Sequence, residues 1–463
     1  MGDIRMMTNS ENKQIKFHMI TIENLVPENH FLRKLNRLAD FSFIREETKA
    51  FYCHNNGRPC IDPVVLVKYL LIGFLYGIES ERRLEQEIQV NMAYRWFLGL
   101  DLDERVPDHS TLSQNRRRRF RSKELYRTLF LQIVRQCMEK GLVDGKLIVT
   151  DSTHVKANAS RQSEHVVEVE KAACGYLSKL DEYEQVERTR LENAGKLPHK
   201  EPVARRETTP KIISKRVSRT DPEAGFYKRK GKPEGMHYLS HQSLDTANGI
   251  IVDVYTTPGN VTDATPYVER IDAIHQTLGF AIESAGADSG YDISLVHQQM
   301  QERGIRFYTP INHEKPNYKS SFTRSDFTYE SETDTFQCPG GKGLPLKRLQ
   351  RNEYGVYREY RAEKSNCQIC PFKNACLTGS FPSRRLQVNI FEAAVKKNHD
   401  ADGSAGHREA LRLRQIWCEG SFAAQKARHN LKRLLRRGLE AAEEHCLLSA
   451  TALNLKRMVN CLG

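Results

Sequence analysis

The sequence contains no apolar run long enough to cross a membrane. Its longest apolar stretch, Val64 to Ile78, is interrupted by Lys68 and falls short of the roughly 20 residues that a membrane span requires. This stretch therefore predicts a buried helix. Residues 1–16 lack the apolar segment of a secretory signal, so we expect a cytoplasmic protein with no membrane partner.

The sequence also lacks a phosphate-binding loop of the G-x-x-x-x-G-K-[ST] type, which argues against nucleotide hydrolysis and against a nucleotide cofactor. It has no internal repeat and no long low-complexity tract. The chain has 11 cysteines. In a cytoplasmic protein we expect these to be reduced thiols or metal ligands rather than a disulfide framework.

Acidic residues are outnumbered, with 58 Asp and Glu against 71 Lys and Arg, for a net charge of +13 and a pI near 9.1. This excess favours a polyanionic partner and argues against an acidic protein partner. Hydrophobic residues at 39% and charged residues at 28% are typical of globular proteins. A chain of 463 residues is long enough for several domains.

The first 140 residues predict helices. Asp62 is a suitable N-cap and Pro63 suits the first helical turn, so a helix should begin there. Pro107 to Ser110 predicts a cap before a further helix from Thr111 to Lys123. That helix carries four consecutive arginines that could contact DNA phosphates, although a charge run is often only a solvated face. They are Arg116, Arg117, Arg118 and Arg119.

The pattern changes after Gly145 to one of strands and helices. A β-branched run ends at Asp151, and further strand patterns occur over His237 to Asp245, Gly249 to Thr256, Phe280 to Ala287 and Arg306 to Pro310. Residues 161–202 predict a charged helix and 203–232 a flexible basic segment. Residues 313–400 look irregular, and His407 to Met458 predict helices with a break near Gly438. The order predicts a mixed α/β sheet with flanking helices, interrupted by two insertions.

Three carboxylates stand where a catalytic site needs them. Asp151 and Asp288 each follow a strand pattern, and Glu419 lies in the last helical region. Acids that converge at a sheet edge repel one another unless cations neutralise them, and their oxygens suit Mg²⁺ or Mn²⁺. A pair of such ions can drive phosphoryl transfer. The alternative is that the aspartates cap strand ends and that the glutamate is an ordinary surface residue.

A helical wheel favours a free carboxylate at Glu419. At 100° per residue, Arg412, Lys426 and Arg433 share its stripe, and no basic residue lies within one turn of it. The glutamate would then be available to a cation, with the basic residues two turns away binding the phosphate backbone. Trp417 could stack on a base or belong to the core.

Four cysteines between residues 338 and 376 have a spacing that a zinc site accepts. They are Cys338, Cys367, Cys370 and Cys376. A structural Zn²⁺ would stabilise a polar region that has little core of its own; a redox or vestigial role and unrelated free thiols are the alternatives. Cys418, beside Glu419, has no local histidine partner that would make it a nucleophile. His154 is more consistent with a structural than a catalytic role.

Three short segments resemble the catalytic blocks of bacterial insertion-sequence DDE transposases with an RNase H-like core. They are 150–158 (TDSTHVKAN), 287–291 (ADSGY) and 419–422 (EGSF). Residues 61–119 resemble the helical domain that often precedes this core, and 218–225 (SRTDPEAG) a segment of one branch of the family. The family's cysteine-bearing insertions also favour zinc.

The resemblance implies that Asp151, Asp288 and Glu419 bind the catalytic metals. In the family signature a tyrosine and an arginine precede the glutamate and a lysine follows it. Lys426 has the expected spacing and is implied to contact DNA, but Gln415 replaces the arginine, Arg414 is one residue away, and Arg412 stands at the tyrosine position.

The implied function is a transposase that binds terminal inverted repeats, hydrolyses phosphodiesters with metal ions and transfers the freed 3′-OH to target DNA. A homodimer on paired ends and a nucleoid-associated, cytoplasmic location in bacteria are implied as well. A nuclease with the same fold and a catalytically inactive DNA-binding relative are the alternatives. The predicted parts are a helical DNA-binding domain (1–140), the RNase H-like core (141–160 and 236–312), a basic insertion (161–235), a Cys-rich insertion (313–404) and a C-terminal helical part (405–463).

Overall fold

The computed structural model describes residues 19–52, 60–120, 123–170, 175–198, 212–229, 231, 234–311, 322–352, 355–377 and 381–463. Residues 1–16, the segment 199–211 of the first insertion and 312–321 of the second lie outside these ranges, so the predictions that fall there stay predictions. The chain forms two compact units, Met1–Arg121 with Met458–Gly463, and Ser122–Arg457.

The first unit is helical, as predicted. Its helices are α1 (Ile22–Leu25), α2 (Phe31–Leu38), α3 (Phe43–Thr48), α4 (Pro63–Tyr76), α5 (Glu81–Val90), α6 (Met92–Leu98) and α7 (His109–Arg118). Helix α4 is the predicted buried helix: the Asp62 side chain accepts a hydrogen bond from the backbone N–H of Val64 at 2.9 Å, and Gly77, at φ 70°, ends the helix. Across the described ranges, no single helix is long and apolar enough to span a bilayer; α4 and α5 would pass together but meet at a 96° bend.

The second unit combines sheets and helices, of which α17 runs on into the first unit's C-terminal residues. The elements are α8 (Lys123–Glu139), β1 (Leu147–Lys156), β2 (Glu164–Glu170), α9 (Gly175–Asn193), β3 (Ile212–Ser218), β4 (Gly225–Tyr227), β5 (Gly235–Asp245), β6 (Ile251–Pro258), α10 (Tyr267–Leu278), β7 (Ser284–Gly286), α11 (Ser294–Glu302), β8 (Arg306–Tyr308), β9 (Thr328–Glu330), β10 (Thr335–Gln337), β11 (Gly343–Asn352), β12 (Gly355–Arg361), α12 (Lys364–Gln368), α13 (Lys373–Cys376), β13 (Arg385–Asn389), α14 (Glu392–Asp400), α15 (Ala405–Arg414), α16 (Gly420–Arg428) and α17 (Leu439–Leu462).

The central sheet has the strand arrangement β6-β5-β1-β7-β8, with β4 also paired to β5. Strand β5 runs antiparallel to β1 and β6, whereas β7 runs parallel to β1 and β8. The sheet is therefore mixed and RNase H-like, which confirms the predicted fold class. The hairpin between β5 and β6 turns at Gly249, where φ is 70°.

The central strand β1 is longer than the sequence pattern suggested. It pairs with β5 from Ile148 to Lys156, so Asp151 lies within the strand and not at its end. The prediction of a strand-end aspartate was wrong because polar residues continue the ladder after the apolar run. Asp288 does follow its strand, two residues after β7.

The first insertion contains a hairpin as well as a helix. Strands β2 and β3 pair antiparallel along their full lengths, whereas a helix was predicted from residue 161. The segment EHVVEVE alternates apolar and charged residues, and this period of two is the signal of a strand. The predicted charged helix begins only at α9.

The second insertion was predicted to be irregular, and this prediction was wrong. It forms a five-stranded antiparallel sheet in the order β13-β12-β11-β10-β9. Its buried cluster includes Phe327, Phe336, Leu344 and Tyr360. A second cluster joins the two insertions to each other, with leucines on and after α9 packed together with Leu349, Val356 and Phe391.

The C-terminal helical region is interrupted twice. Between α15 and α16, residues Gln415–Glu419 form a π-helix, and α16 ends at Arg428. The backbone of the following segment joins the end of β1, where the Leu434 N–H donates to the Lys156 carbonyl at 2.9 Å. Arg433 is therefore not on the helical stripe of Glu419, which corrects the wheel prediction.

Candidate active site

Asp151 on β1 and Glu419 on the π-helix share one cation. Nη1 of Arg414 lies 2.8 Å from Oδ2 of Asp151, and Nη2 of Arg414 lies 3.3 Å from Oε1 of Glu419. The side chains of Arg414 and Asp151 are 15% and 16% exposed, and that of Glu419 is 56% exposed. A largely buried guanidinium thus bridges two acids that are far apart in the sequence.

The π-helix explains this contact. Its i→i+5 hydrogen bonds widen the turn and bring residues five apart onto one side. Arg414 and Glu419 have this separation, so the expectation that Glu419 lacks a basic partner within one turn was wrong. The arginine that contacts Glu419 is thus Arg414, whereas the family spacing predicts one at 415.

Asp288 lies beside Asp151 because of the strand register. Val149 of β1 pairs with Gly286 of the parallel strand β7, and the two aspartates follow two residues later on each chain segment. Neighbouring strands are about 4.8 Å apart. The Oδ1 atom of Asp288 accepts a hydrogen bond from the Gly290 N–H at 2.8 Å, which caps a short 3₁₀ turn.

A fourth carboxylate, Asp263, was missed by the sequence analysis. It lies in the loop after β6, and its Oδ1 atom accepts a hydrogen bond from the Ser152 hydroxyl. A methyl group added at Gly290 would lie 3.0 Å from Oδ1 of Asp288 and 3.4 Å from Oδ2 of Asp263. The two carboxylates therefore border one small space. No local motif in the sequence marked Asp263, because only the fold brings its loop to β1.

The electrostatics of the site oppose full ionisation. Burial raises the pKa of Asp151 to about 6, with further upward contributions from Asp288 and Asp263; Arg414 and the Ser152 N–H pull the other way. Burial also raises the pKa of Asp263, and the negative charge of Asp288 adds to this. The carboxylates thus need positive charge beyond that of Arg414.

Lys426 lies on the same side of β1 as Asp151. Its Nζ donates a hydrogen bond to the Thr153 hydroxyl at 2.6 Å, and Thr153 and Asp151 alternate onto one face of the strand. Lys156 and Arg433 are exposed at the end of β1. Basic side chains therefore continue along the strand from the acids.

The other predicted residues near the site are structural. The Trp417 Nε1–H donates to the Thr246 carbonyl at 3.0 Å, and the indole packs on the turn at Gly249. Cys418 is fully buried, which raises the pKa of its thiol and keeps it protonated. The His154 ring stacks on Tyr227 with centroids 3.7 Å apart, and burial lowers its pKa to about 4.

The predicted arginines fall into two groups. Arg116 is buried and paired with Glu81, and Arg119 bonds Asn115 and covers the ring of Tyr52. Arg117 and Arg118 are exposed. On α15, Arg412 is held by Glu409 at 2.7 Å.

The four cysteines of the second insertion lie near one another. Burial raises the pKa of Cys376, and the other three thiols add to this effect. A methyl group at Gly340 would lie 3.5 Å from the sulfur of Cys370 and 3.7 Å from that of Cys338. The Cys338 sulfur also accepts the Lys342 N–H at 3.3 Å. None of the four forms a disulfide among the described residues.

Ligand atoms of three side chains lie mutually within 4.8 Å at one place among the described residues, at Glu85, Asp108 and His109. The acids around Asp151 and the four cysteines are therefore more widely spread than a closed metal cage. Two observations nevertheless indicate that divalent ions fit the acidic centre. The positively charged guanidinium of Arg414 already bridges Asp151 and Glu419, and the space at Gly290 lies between two carboxylates.

The RNase H-like sheet thus brings together acids from β1, from the turn after β7 and from the π-helix. Residues 20–118 match the family model described as Transposase domain (DUF772), and residues 337–459 match that described as Transposase DDE domain. These matches show transposase domains in two parts of the chain and support a DNA transposase function, as the resemblance predicted. The DDE domain implies the use of divalent metal ions.

Solved transposase complexes are also similar to this chain. The piggyBac transposase synaptic complex with hairpin DNA matches at 8% identity and a TM-score of 0.36, over 92% of this chain and 75% of that one. The Mos1 transposase paired-end complex with left transposon end matches at 9% identity and a TM-score of 0.16, over 57% of this chain and 64% of that one. No curated protein matches the chain.

Proposed function

We propose that this transposase cuts DNA at the ends of its own element and joins the freed 3′-hydroxyl to target DNA, using Asp151, Asp288 and Glu419. The observation that carries the proposal is the Arg414 bridge. It unites a strand acid and a helix acid around one positive charge, beside the neighbouring strand's Asp288. This is the charge pattern that a phosphoryl-transfer site requires.

Neither proposed reaction needs ATP. The first hydrolyses a phosphodiester, and the second exchanges one phosphodiester for another. In the first, water attacks the phosphorus at the element end, and the 3′-oxygen leaves as a hydroxyl. In the second, that hydroxyl attacks a target phosphorus, and the target's own 3′-oxygen leaves. Two divalent cations held by the three carboxylates would activate the attacking oxygen and stabilise the leaving one.

The chain's own residues orient the substrate. Lys426 of α16, which bonds Thr153, and Lys156 at the end of β1 bind the phosphate backbone. Arg433 extends this basic surface. Arg414 would release Asp151 and Glu419 to bound cations and would then neutralise phosphate charge. The buried, protonated Cys418 thiol supports direct transfer without a covalent protein intermediate.

The helical first unit binds the terminal inverted repeats. Exposure favours Arg117, Arg118 and Arg119 over the buried Arg116 as phosphate contacts, and of these three Arg119 also bonds Asn115. Two copies of the chain hold the two element ends, in keeping with the expected homodimer.

The test of the catalytic assignment is Asp151→Asn, measured on labelled DNA that carries the element's terminal repeats. We expect cleavage to be lost while binding to this DNA persists, because the change removes a metal ligand and leaves the basic surfaces intact. The matched control is Asp272→Asn, at a partly exposed aspartate paired with Arg303. Cleavage by Asp151→Asn at the wild-type rate would refute the assignment.

Strand transfer is tested separately. We expect the wild-type protein with Mg²⁺ to join a pre-cleaved element end that carries a 3′-OH to target DNA. A protein that cuts the uncleaved end but gives no joined product is a nuclease, and this outcome would overturn the joining step alone.

We also propose that Cys338, Cys367, Cys370 and Cys376 bind one structural Zn²⁺. Their proximity and the N–H donated to the Cys338 sulfur support this, since such bonds stabilise thiolate ligands. Metal analysis of the purified protein should give about one zinc per chain, lost in a Cys367→Ser/Cys370→Ser double variant. A folded wild-type protein without zinc would refute this assignment.

A further inference from the structure

Asp263 is bonded to the central strand at Ser152, whose side chain alternates to the face opposite that of Asp151. Its Oδ1 atom accepts the hydroxyl hydrogen bond of Ser152, the residue directly after Asp151. Among the described residues this is the one hydrogen bond that the Asp263 side chain makes, so its Oδ2 atom is left without a protein donor. Asp263 does not cap α10, whose N-cap is Pro266.

The free Oδ2 atom borders the space that Asp288 borders from the other side. The added methyl group at Gly290 would contact both carboxylates, at 3.4 Å from Asp263 and 3.0 Å from Asp288. Two half-buried carboxylates that border one space repel each other, and a cation between them removes the repulsion. The glycine leaves that space open.

An orphaned hydroxyl faces the same acids. Tyr291 is 1% exposed, and its hydroxyl makes no hydrogen bond among the described residues. Burial raises the pKa of this hydroxyl, and the negative charges of Asp263, Asp151 and Asp288 add to the rise. A buried hydroxyl without a partner costs free energy unless a ligand or a water satisfies it. The unpartnered hydroxyl therefore indicates that the centre binds a ligand or a water.

We propose that Asp263 is a fourth carboxylate of the metal centre, binding through Oδ2 a divalent cation that Asp288 also binds. The inference rests on the proposed function, because it extends the same centre. Ser152 fixes the carboxylate through Oδ1, and Oδ2 remains for the cation. Asp263 would thus be a catalytic residue that belongs to none of the three sequence blocks, and its loop would be part of the active site.

The test is Mn²⁺ binding by the full chain without DNA, followed by the electron paramagnetic resonance signal of free Mn²⁺. Asp263→Asn keeps an oxygen that can accept from Ser152, so the fold should be retained, as thermal unfolding would verify. We expect Mn²⁺ affinity to fall by about 100-fold in Asp263→Asn, and by about 10-fold in Ser152→Ala, which keeps the carboxylate but frees its orientation. Asp272→Asn is the matched control.

Asp288→Asn separates the possible failures. If Asp288→Asn loses Mn²⁺ binding while folded Asp263→Asn binds with wild-type affinity, the role of Asp263 is refuted and the proposed function stands. If neither variant alters Mn²⁺ binding, the metal centre itself is refuted. A parallel fall in both variants, with Asp272→Asn unchanged, supports the fourth carboxylate.

Discussion

Two acidic clusters in this protein differ in how their oxygens are used. In the first unit, Oε2 of Glu85 accepts the His109 N–H at 3.0 Å and lies 2.7 Å from Nδ1 of the same residue. Oδ1 of Asp108 accepts the Ser110 N–H at 2.7 Å and caps α7. These ligand atoms are close together because Glu85 of α5 and the N-cap Asp108 both accept from donors at the start of α7, and these contacts account for the cluster.

The centre at Asp151 is wider but less satisfied. Its acids come from separate elements, share Arg414, and face the unpartnered hydroxyl of Tyr291. On our proposed assignment, charge that the fold leaves uncompensated indicates a metal site better than a short distance between ligand atoms does. The predictions below test this difference.

The largest expected difference is in catalysis. Glu419→Gln should lower the DNA cleavage rate on the order of 1,000-fold, because several kcal/mol of transition-state stabilisation depend on the metal that this oxygen helps to hold. Glu85→Gln keeps an acceptor for His109 and should cleave at the wild-type rate at saturating DNA. If Glu85→Gln lost metal-dependent cleavage and Glu419→Gln kept it, our interpretation of the two clusters would be reversed.

Removing the shared cation should strengthen metal binding. In Arg414→Gln we expect Mn²⁺ to bind about 10- to 100-fold more tightly without DNA, because displacing a charged hydrogen-bonded partner costs about 1.5–3 kcal/mol. DNA cleavage should nevertheless fall, since the arginine no longer neutralises phosphate. The control is Arg412→Gln, whose partner Glu409 lies outside the site. Unchanged or weaker binding in Arg414→Gln would contradict the competition between arginine and metal.

The pH should affect only the centre at Asp151. Since its pKa is raised from 3.8 to about 6, protons compete with the metal below that value, and Mn²⁺ affinity should rise about 10-fold from about pH 5 to about pH 7 and then level off. By the same shift, the stability that Asp151 contributes to the metal-free fold is present below about pH 4 and is lost as the pH rises through about 6. Titration of Asp151→Asn should show neither effect.

The smallest effect concerns the helix cap. Asp108→Ala should lower the unfolding free energy of the first unit by about 1 kcal/mol, since it removes an N-cap, and leave Mn²⁺ affinity unchanged. The chain has 2 tryptophans, so Trp96 can report this unit in a Trp417→Phe background. Asp103→Ala, at an exposed aspartate of the same unit, is the control. Loss of Mn²⁺ binding in Asp108→Ala would show that this cluster is a metal site.

Local sequence signals predicted the elements that depend on local physics. Asp62, Pro63 and the apolar run after them define α4, and the turn at Gly249 defines the β5–β6 hairpin. In the second insertion, β9 and β10 were missed because they are short, and the longer β11 and β12 because charged residues interrupt their apolar pattern. The alternation in 164–170 was available in the sequence but was obscured by the surrounding charge.

The residues of the candidate site likewise divide into those that local sequence signals identified and those that depend on the tertiary structure. Asp151, Asp288 and Glu419 were identified from their blocks and strand settings. The partnership of Arg414 with two of them depends on a π-helix, which no wheel with a period of 3.6 can represent. Asp263 depends on a loop whose path is set by tertiary structure, so no pattern around residue 263 could have revealed it.

The shared core of the two insertions has a consequence for synthesis of the chain. Leu180, Leu191 and Leu197 pack against residues up to Phe391, which leave the ribosome almost two hundred residues later. At about 5–20 residues per second, these leucines wait roughly 10–40 s for their partners. During that interval the nascent chain presents an apolar surface, so chaperone supply should limit how much active transposase a cell accumulates.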